Sequence, residues 1–425
     1  MLHGNVDDLD RVSVFVRCHR PRLRPTRSRP QCLDSLSRPT YVDPSLEYHA
    51  PRTPTRLYQR GRLDPPRPVG ARGVVGRLGP VGGRPLLPAG VLLGAADDTL
   101  WHKTGRHVTD AGYWRDGVRS TETQVVKAWG LNVVLLVVIW SPPWGGPPIG
   151  LPINVRIHRK GGPTPVELVV AMIQEVATWL PHRRWTWIVD SGYTALAGHA
   201  LPEGHVVISR LRKNTVVYAL PPTRRPGQRG RPRVHGDRLP PLAKLAAGLP
   251  ADAWIPLILS LGGKPQKRQV TTLPVIWYPH QVARRILLVL VRDPADPAGL
   301  TVFFTTDLTS TGPAVVQTYG LRWSIEVTFH DVKQYLGGED PQSWVGPAPT
   351  RNVVLGFLTY TLVWAWMGQA RSADRVNQSV KSSFHEALAL LRTVLWTGEY
   401  FRKGPDGAIL EKTLPDLQEI LARAS

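Results

Sequence analysis

Eight apolar residues follow one another without a break from Val133 to Trp140, and with Lys127-Ala-Trp129 leading in, they read as one long β-strand. The next stretch, Ser141-Pro-Pro-Trp-Gly-Gly-Pro-Pro148, has turn chemistry and sends the chain back as a second strand over residues 149–157. Upstream, residues 91–96 form a short apolar run that predicts a buried strand ending on Asp97-Asp98-Thr99, so that a carboxylate at its end points into a crevice. Together these predict a three-stranded meander. Thr164 then caps a helix with Pro165 and Glu167 in its first turn, which runs to Leu180 and stops at Pro181. Residues 185–189 are another strand, delivering Asp190 at its end; a short helix over residues 193–200 leads into a further strand over 205–210. The expected class is α/β, a mixed sheet with flanking helices.

Residues 319–333 carry the second constraint. On a helix, at about 100° per residue, Tyr319, Arg322, Glu326 and Lys333 return to one side. Ile325, Phe329, Val332 and Leu336 form a separate apolar stripe. A single helix, stopped by Gly337-Gly338, would lay that stripe on the core and turn a face suited to phosphate into a groove. Arg322 and Glu326, four residues apart, equally describe a solvated ion pair worth about 0.2–0.5 kcal/mol.

The spacing Tyr-x2-Arg-x3-Glu-x6-Lys, with two aspartates at the ends of upstream apolar runs, resembles the Y-R-E-K signature of bacterial insertion-sequence transposases of the DDE class. The resemblance implies a ribonuclease H-like catalytic core, whose element order is the one read above, interrupted by a β-rich insertion. It implies Asp98, Asp190 and Glu326 as catalytic acids and ligands of two Mg²⁺ or Mn²⁺ ions, with Asp190 bridging both. Asp98 is preferred to Asp97 because Thr99 follows it. Arg322 and Lys333 would then hold the DNA backbone, and Tyr319 a neighbouring phosphate. Trp323, beside this face, is a candidate either for stabilising an unstacked base or for one more core tryptophan. The implied partners are double-stranded DNA, both terminal inverted repeats and target, and a second copy of the chain in the synaptic complex; the implied location is cytoplasmic, at the bacterial nucleoid.

A net charge of +21 calls for a polyanion, and nucleic acid fits better than a membrane surface because Arg and Lys are spread over the whole length. Cys18 and Cys32 are too few for a disulfide framework and suit a reducing cytoplasm. No signal peptide is visible in the first residues, and the greasy segment 352–367 is shorter than a bilayer needs, so it predicts a buried helix. Residues 1–85 repeat Arg-Pro, lack Lys and Trp, and read either as a disordered basic arm or as coding sequence displaced out of frame. The expected organisation continues with the first part of the core at 86–210, the β-rich insertion at 211–308, the second part at 309–370, and C-terminal helices at 371–425. Within the insertion, Arg229-Gly230-Arg231-Pro232 looks like an AT-hook core, with Arg229 and Arg231 as minor-groove contacts; a flexible basic loop touching phosphates accounts for it as well. The function expected is cleavage at transposon ends and transfer of the 3′-OH strand. A non-catalytic DNA-binding remnant and a structure-directed nuclease are the alternatives.

Overall fold

A computed structural model describes residues 87–121, 123–142, 144–224, 229–261, 264–296, 299–372 and 383–402, all within one compact unit. The Arg-Pro segment over 1–85, both cysteines and the helix expected over 414–424 lie outside the described residues.

The chain runs through β1 (Leu92–His102), β2 (Gly112–Arg115), β3 (Lys127–Trp140) and β4 (Ile149–His158) into helix α1 (Pro165–Trp179). Next come β5 (Trp185–Val189), a 3-10 helix (Ser191–Gly198), β6 (His205–Leu211) and the short α2 (Leu242–Ala247). Strands β7 (Ile255–Leu261), β8 (Lys264–Trp277), β9 (Arg284–Arg292) and β10 (Thr301–Thr305) follow. The described chain closes with α3 (Gly312–Gly320), α4 (Trp323–Tyr335), α5 (Ala348–Ser372) and α6 (Phe384–Arg402).

All ten strands share one mixed sheet, ordered β2-β3-β1-β5-β6-β10-β9-β8-β7, with β4 also on β3. β1 is antiparallel to β3 and parallel to β5, and β6 continues parallel to β5. That is the ribonuclease H-like order: an antiparallel meander joined through its first strand to two parallel strands. The later strands extend the same sheet, because β10 pairs with β6 and carries β9, β8 and β7 beyond it.

β3 is buried almost end to end, as an unbroken apolar run requires when both faces are covered. Helix α1 packs on β3 and β4, and α4 and α5 also pack on β4. Thr164 and Glu167 close a reciprocal capping box at the start of α1. Helix α4 comes close to β4 because Gly150 has no side chain; a Cβ there would lie 3.0 Å from Thr328 Oγ1 and 3.1 Å from Ser324 O. Thr328 instead donates to Gly150 O at 2.7 Å.

Three expectations change. β1 does not end at Asp97 but continues to His102, since Thr99, Leu100 and Trp101 keep pairing with β3. The helix expected over 319–333 is two helices, α3 and α4, joined by tight i to i+3 bonds such as Arg322 N to Tyr319 O at 3.1 Å. The greasy segment is longer than its apolar run: α5 has 25 residues, and residues 348–370 are long and apolar enough by length and composition to cross a membrane, yet one side of the helix is buried in the protein. Val353, Phe357, Tyr360, Val363, Trp364 and Met367 form the buried side of α5. On α6, Phe384 and Leu388 are buried whereas Leu395 and Trp396 are exposed.

Candidate active site

The two aspartates in the middle of β1 are adjacent, so strand pleating sends their side chains to opposite faces of the sheet. Asp97 turns toward α4, where Arg322 Nη1 donates to its Oδ2 at 2.6 Å. The same nitrogen donates to Glu326 Oε1 at 3.2 Å. Asp98 turns the other way and accepts from Tyr193 Oη at 2.6 Å, on the 3-10 helix. Asp97, not Asp98, is therefore the β1 acid that meets Arg322 and Glu326.

Asp190 follows β5, the strand paired in parallel with β1, and caps the 3-10 helix by accepting from Ser191 N. Its charge acts on Arg322, Tyr319 and Tyr193. Residues far apart in sequence thus converge on one guanidinium, which is 15% exposed.

Burial pushes the Asp97 carboxyl up to about 7; Arg322 pulls it down, while Glu326 and Asp98 push it further up. Burial works against the Arg322 charge, yet Asp97, Tyr319 and Glu326 together hold its pKa above the ordinary value. Burial likewise raises Tyr193 and Tyr319, with Asp98 adding to the rise at Tyr193. The Asp97 shift predicts a pH effect. The folded chain holds this proton to about pH 7, whereas an unfolded aspartate releases it near about 3.9. Ionising Asp97 therefore costs folded-state stability, and that cost grows as pH rises between those values. Denaturant midpoints of metal-free protein should fall across that window relative to Asp97→Asn; parallel midpoints for the two proteins would refute the shift.

Lys333 stays inside the protein, donating to Thr99 Oγ1 at 3.0 Å and to Leu100 O, 3.3 Å from Glu339 Oε1 and over the Trp101 ring. Tyr319, next to last in α3, has its ring 4.9 Å from that of Phe303. Trp323, the first residue of α4, is 42% exposed, so it is not a core tryptophan. Arg229 and Arg231 are exposed on either side of Gly230, whose φ of +95° turns the chain. The loop carrying them is rooted where Tyr218 bridges Ile276, toward the opposite end of the sheet from Asp190.

Sequence reasoning missed Tyr193, which follows Asp190 by one 3-10 turn, and the His102 ring, held 3.1 Å from both Asp116 and Glu339. The Asp190-Ser-Gly-Tyr spacing was the available signal for Tyr193; nothing local marks Glu339.

The donors suit a hard cation: Asp97, Asp190 and Glu326 offer carboxylate oxygens, the ligands Mg²⁺ and Mn²⁺ prefer. Among the described residues no three acidic, His or Cys side chains stand at metal-ligand spacing, and the Arg322 guanidinium lies between Asp97 and Glu326. A positive charge already sits between these two acids.

Residues 84–273 match the family described as DDE superfamily endonuclease. The DDE superfamily match takes in just under half of the 425-residue chain, includes Asp97, Asp98 and Asp190, and ends before Arg322 and Glu326. No curated protein matches the chain. Among solved structures, one described as a piggyBac transposase synaptic complex with hairpin DNA aligns at a TM-score of 0.41 and 12% identity, over 77% of this chain and 57% of that one. The chain thus spans little more than half the length of that structure.

Proposed function

We propose that the protein is a transposase-type DNA nuclease that uses divalent metal ions, with Asp97, Asp190 and Glu326 as its catalytic acids, and that it joins the released 3′-OH strand to target DNA. One observation carries this reading: Arg322 draws Asp97 of β1 and Glu326 of α4 together beside Asp190, at the junction of the meander with the parallel strands. The match to the DDE superfamily endonuclease family, whose members generally use divalent metals, supports it independently of Arg322 and Glu326.

Two bound Mg²⁺ or Mn²⁺ ions would supply an activated water and charge neutralisation at the phosphate. The chain's own residues do the positioning. Asp190 is fixed by its cap to the 3-10 helix, Asp97 by the centre of a buried strand, and Glu326 by the first turn of α4. Arg322 and Tyr319 would meet the strand being cut, and the partly exposed Trp323 would stack on a base beside it. Arg229 and Arg231 would hold duplex farther along the sheet. The partners on this reading are terminal-repeat and target duplexes, with a second copy of the chain in the synaptic complex.

The test is cleavage of supercoiled DNA carrying the sequences that flank the gene, with Mg²⁺ or Mn²⁺ and the full chain. Asp190→Asn keeps the capping function, because Asn caps helices as well as Asp does, and should lower cleavage by at least about 10²-fold while DNA affinity stays near wild type. Cleavage without added cation, or an undiminished rate in Asp190→Asn, would overturn the reading. Cleavage without strand joining would leave a structure-directed nuclease, and DNA binding without cleavage a non-catalytic remnant.

A further inference from the structure

One nitrogen of Arg322 serves both Asp97 and Glu326, so the two acids already share a counter-charge, on which Tyr319 and Asp190 also act. The guanidinium is positive at every accessible pH and has five N–H donors, a fork that matches phosphate as well as carboxylate. Asp97 and Arg322 are 14% and 15% exposed, so water does little to weaken their attraction, whereas Glu326 is 38% exposed and faces the open side. A dication and this guanidinium cannot both sit between the two carboxylates. A DNA phosphate approaching from the open side offers the guanidinium another anion.

We propose that Arg322 gates cation loading: without DNA it occupies Asp97 and Glu326, and a DNA phosphate that takes its guanidinium releases both acids for the metal. The inference rests on the reading of Asp97 and Glu326 as metal ligands and adds to it an order of assembly, DNA first and cation second. Thermodynamic linkage makes the coupling reciprocal, so the cation must tighten DNA binding by the factor by which DNA tightens cation binding.

The experiment reads binding, not turnover. Mn²⁺ is titrated into the full chain at about pH 8, above the value to which Asp97 is raised. Free Mn²⁺ is followed by its electron paramagnetic resonance signal, in the cold, with and without a short DNA duplex. Wild type should bind Mn²⁺ at least about fivefold more tightly when the duplex is present, the low end of ordinary coupling. Arg322→Ala should show raised Mn²⁺ affinity without DNA and no further gain with it. Arg322→Gln, which keeps a hydrogen-bond donor but no charge, guards against misfolding of the alanine variant, and circular dichroism checks both. Equal Mn²⁺ affinity in wild type and both variants, or a wild-type affinity that ignores DNA, would overturn the gate alone. No Mn²⁺ uptake by any of the proteins under either condition would overturn the metal reading together with it.

Discussion

Asp97→Asn should lower metal-dependent DNA cleavage by at least about 10²-fold, whereas Asp98→Asn should leave it within about tenfold of wild type. The two residues are neighbours with the same side chain, and the one local signal, Thr99 after Asp98, favours Asp98. Their opposite orientation overrides it: Asp97 reaches Arg322 and Asp98 reaches Tyr193. In Asp98→Asn the amide oxygen still accepts from Tyr193, so local structure survives. A single-turnover cleavage assay with the two variants side by side settles the matter. Equal loss in both, or the reverse order, would remove Asp97 from the site.

The largest expected loss of stability comes from Trp101→Ala, at about 3–5 kcal/mol. Trp101 is fully buried on β1, and its Nε1 donates to Gly338 O at 2.6 Å. Its ring lies 5.3 Å from that of Phe357 on α5, and Gly338 makes room for it, since a Cβ there would fall 2.3 Å from Trp101 Cζ2. Truncation leaves a cavity where β1, the end of α4 and α5 meet, and strands a buried carbonyl. Urea midpoints would measure the loss, and a cost below about 1 kcal/mol, the scale of an ordinary surface change, would contradict this packing. Trp101→Phe should lose less, because most of the volume remains.

The sequence made much of this architecture readable, for identifiable reasons. β3, β4 and α1 are announced by one long apolar run, a Pro/Gly turn and the Thr164-Glu167 pair, all signals confined to neighbouring residues. Arg322, Glu326 and Asp190 could be singled out because spacing and strand ends mark them. What failed was termination. The apolar run before Asp97 gives no sign that β1 continues through two acids, because the pairing that sustains it comes from β3, at residues 130–134. Which of the two acids faces Arg322 follows from the strand pleat, and the Thr99 that favoured Asp98 in the sequence carries no information about it. The joint between α3 and α4 was hidden for the opposite reason: Leu321 and Arg322 both keep right-handed helical dihedrals, so the break barely disturbs the helical phase. β2, four residues long, and the exposure of Trp323 depend on tertiary neighbours and have no local signature.

The hydrogen bonds between β6 and β10 carry a consequence for truncation. Strands β7 to β10 are not an appendage hung on a linker; they cover the flank of β6. Excising them would bare a row of unpaired amides and carbonyls along β6, a template for sticking to other chains. A minimal version of the protein would have to blunt that flank with charge, proline or a covering helix before it stayed soluble.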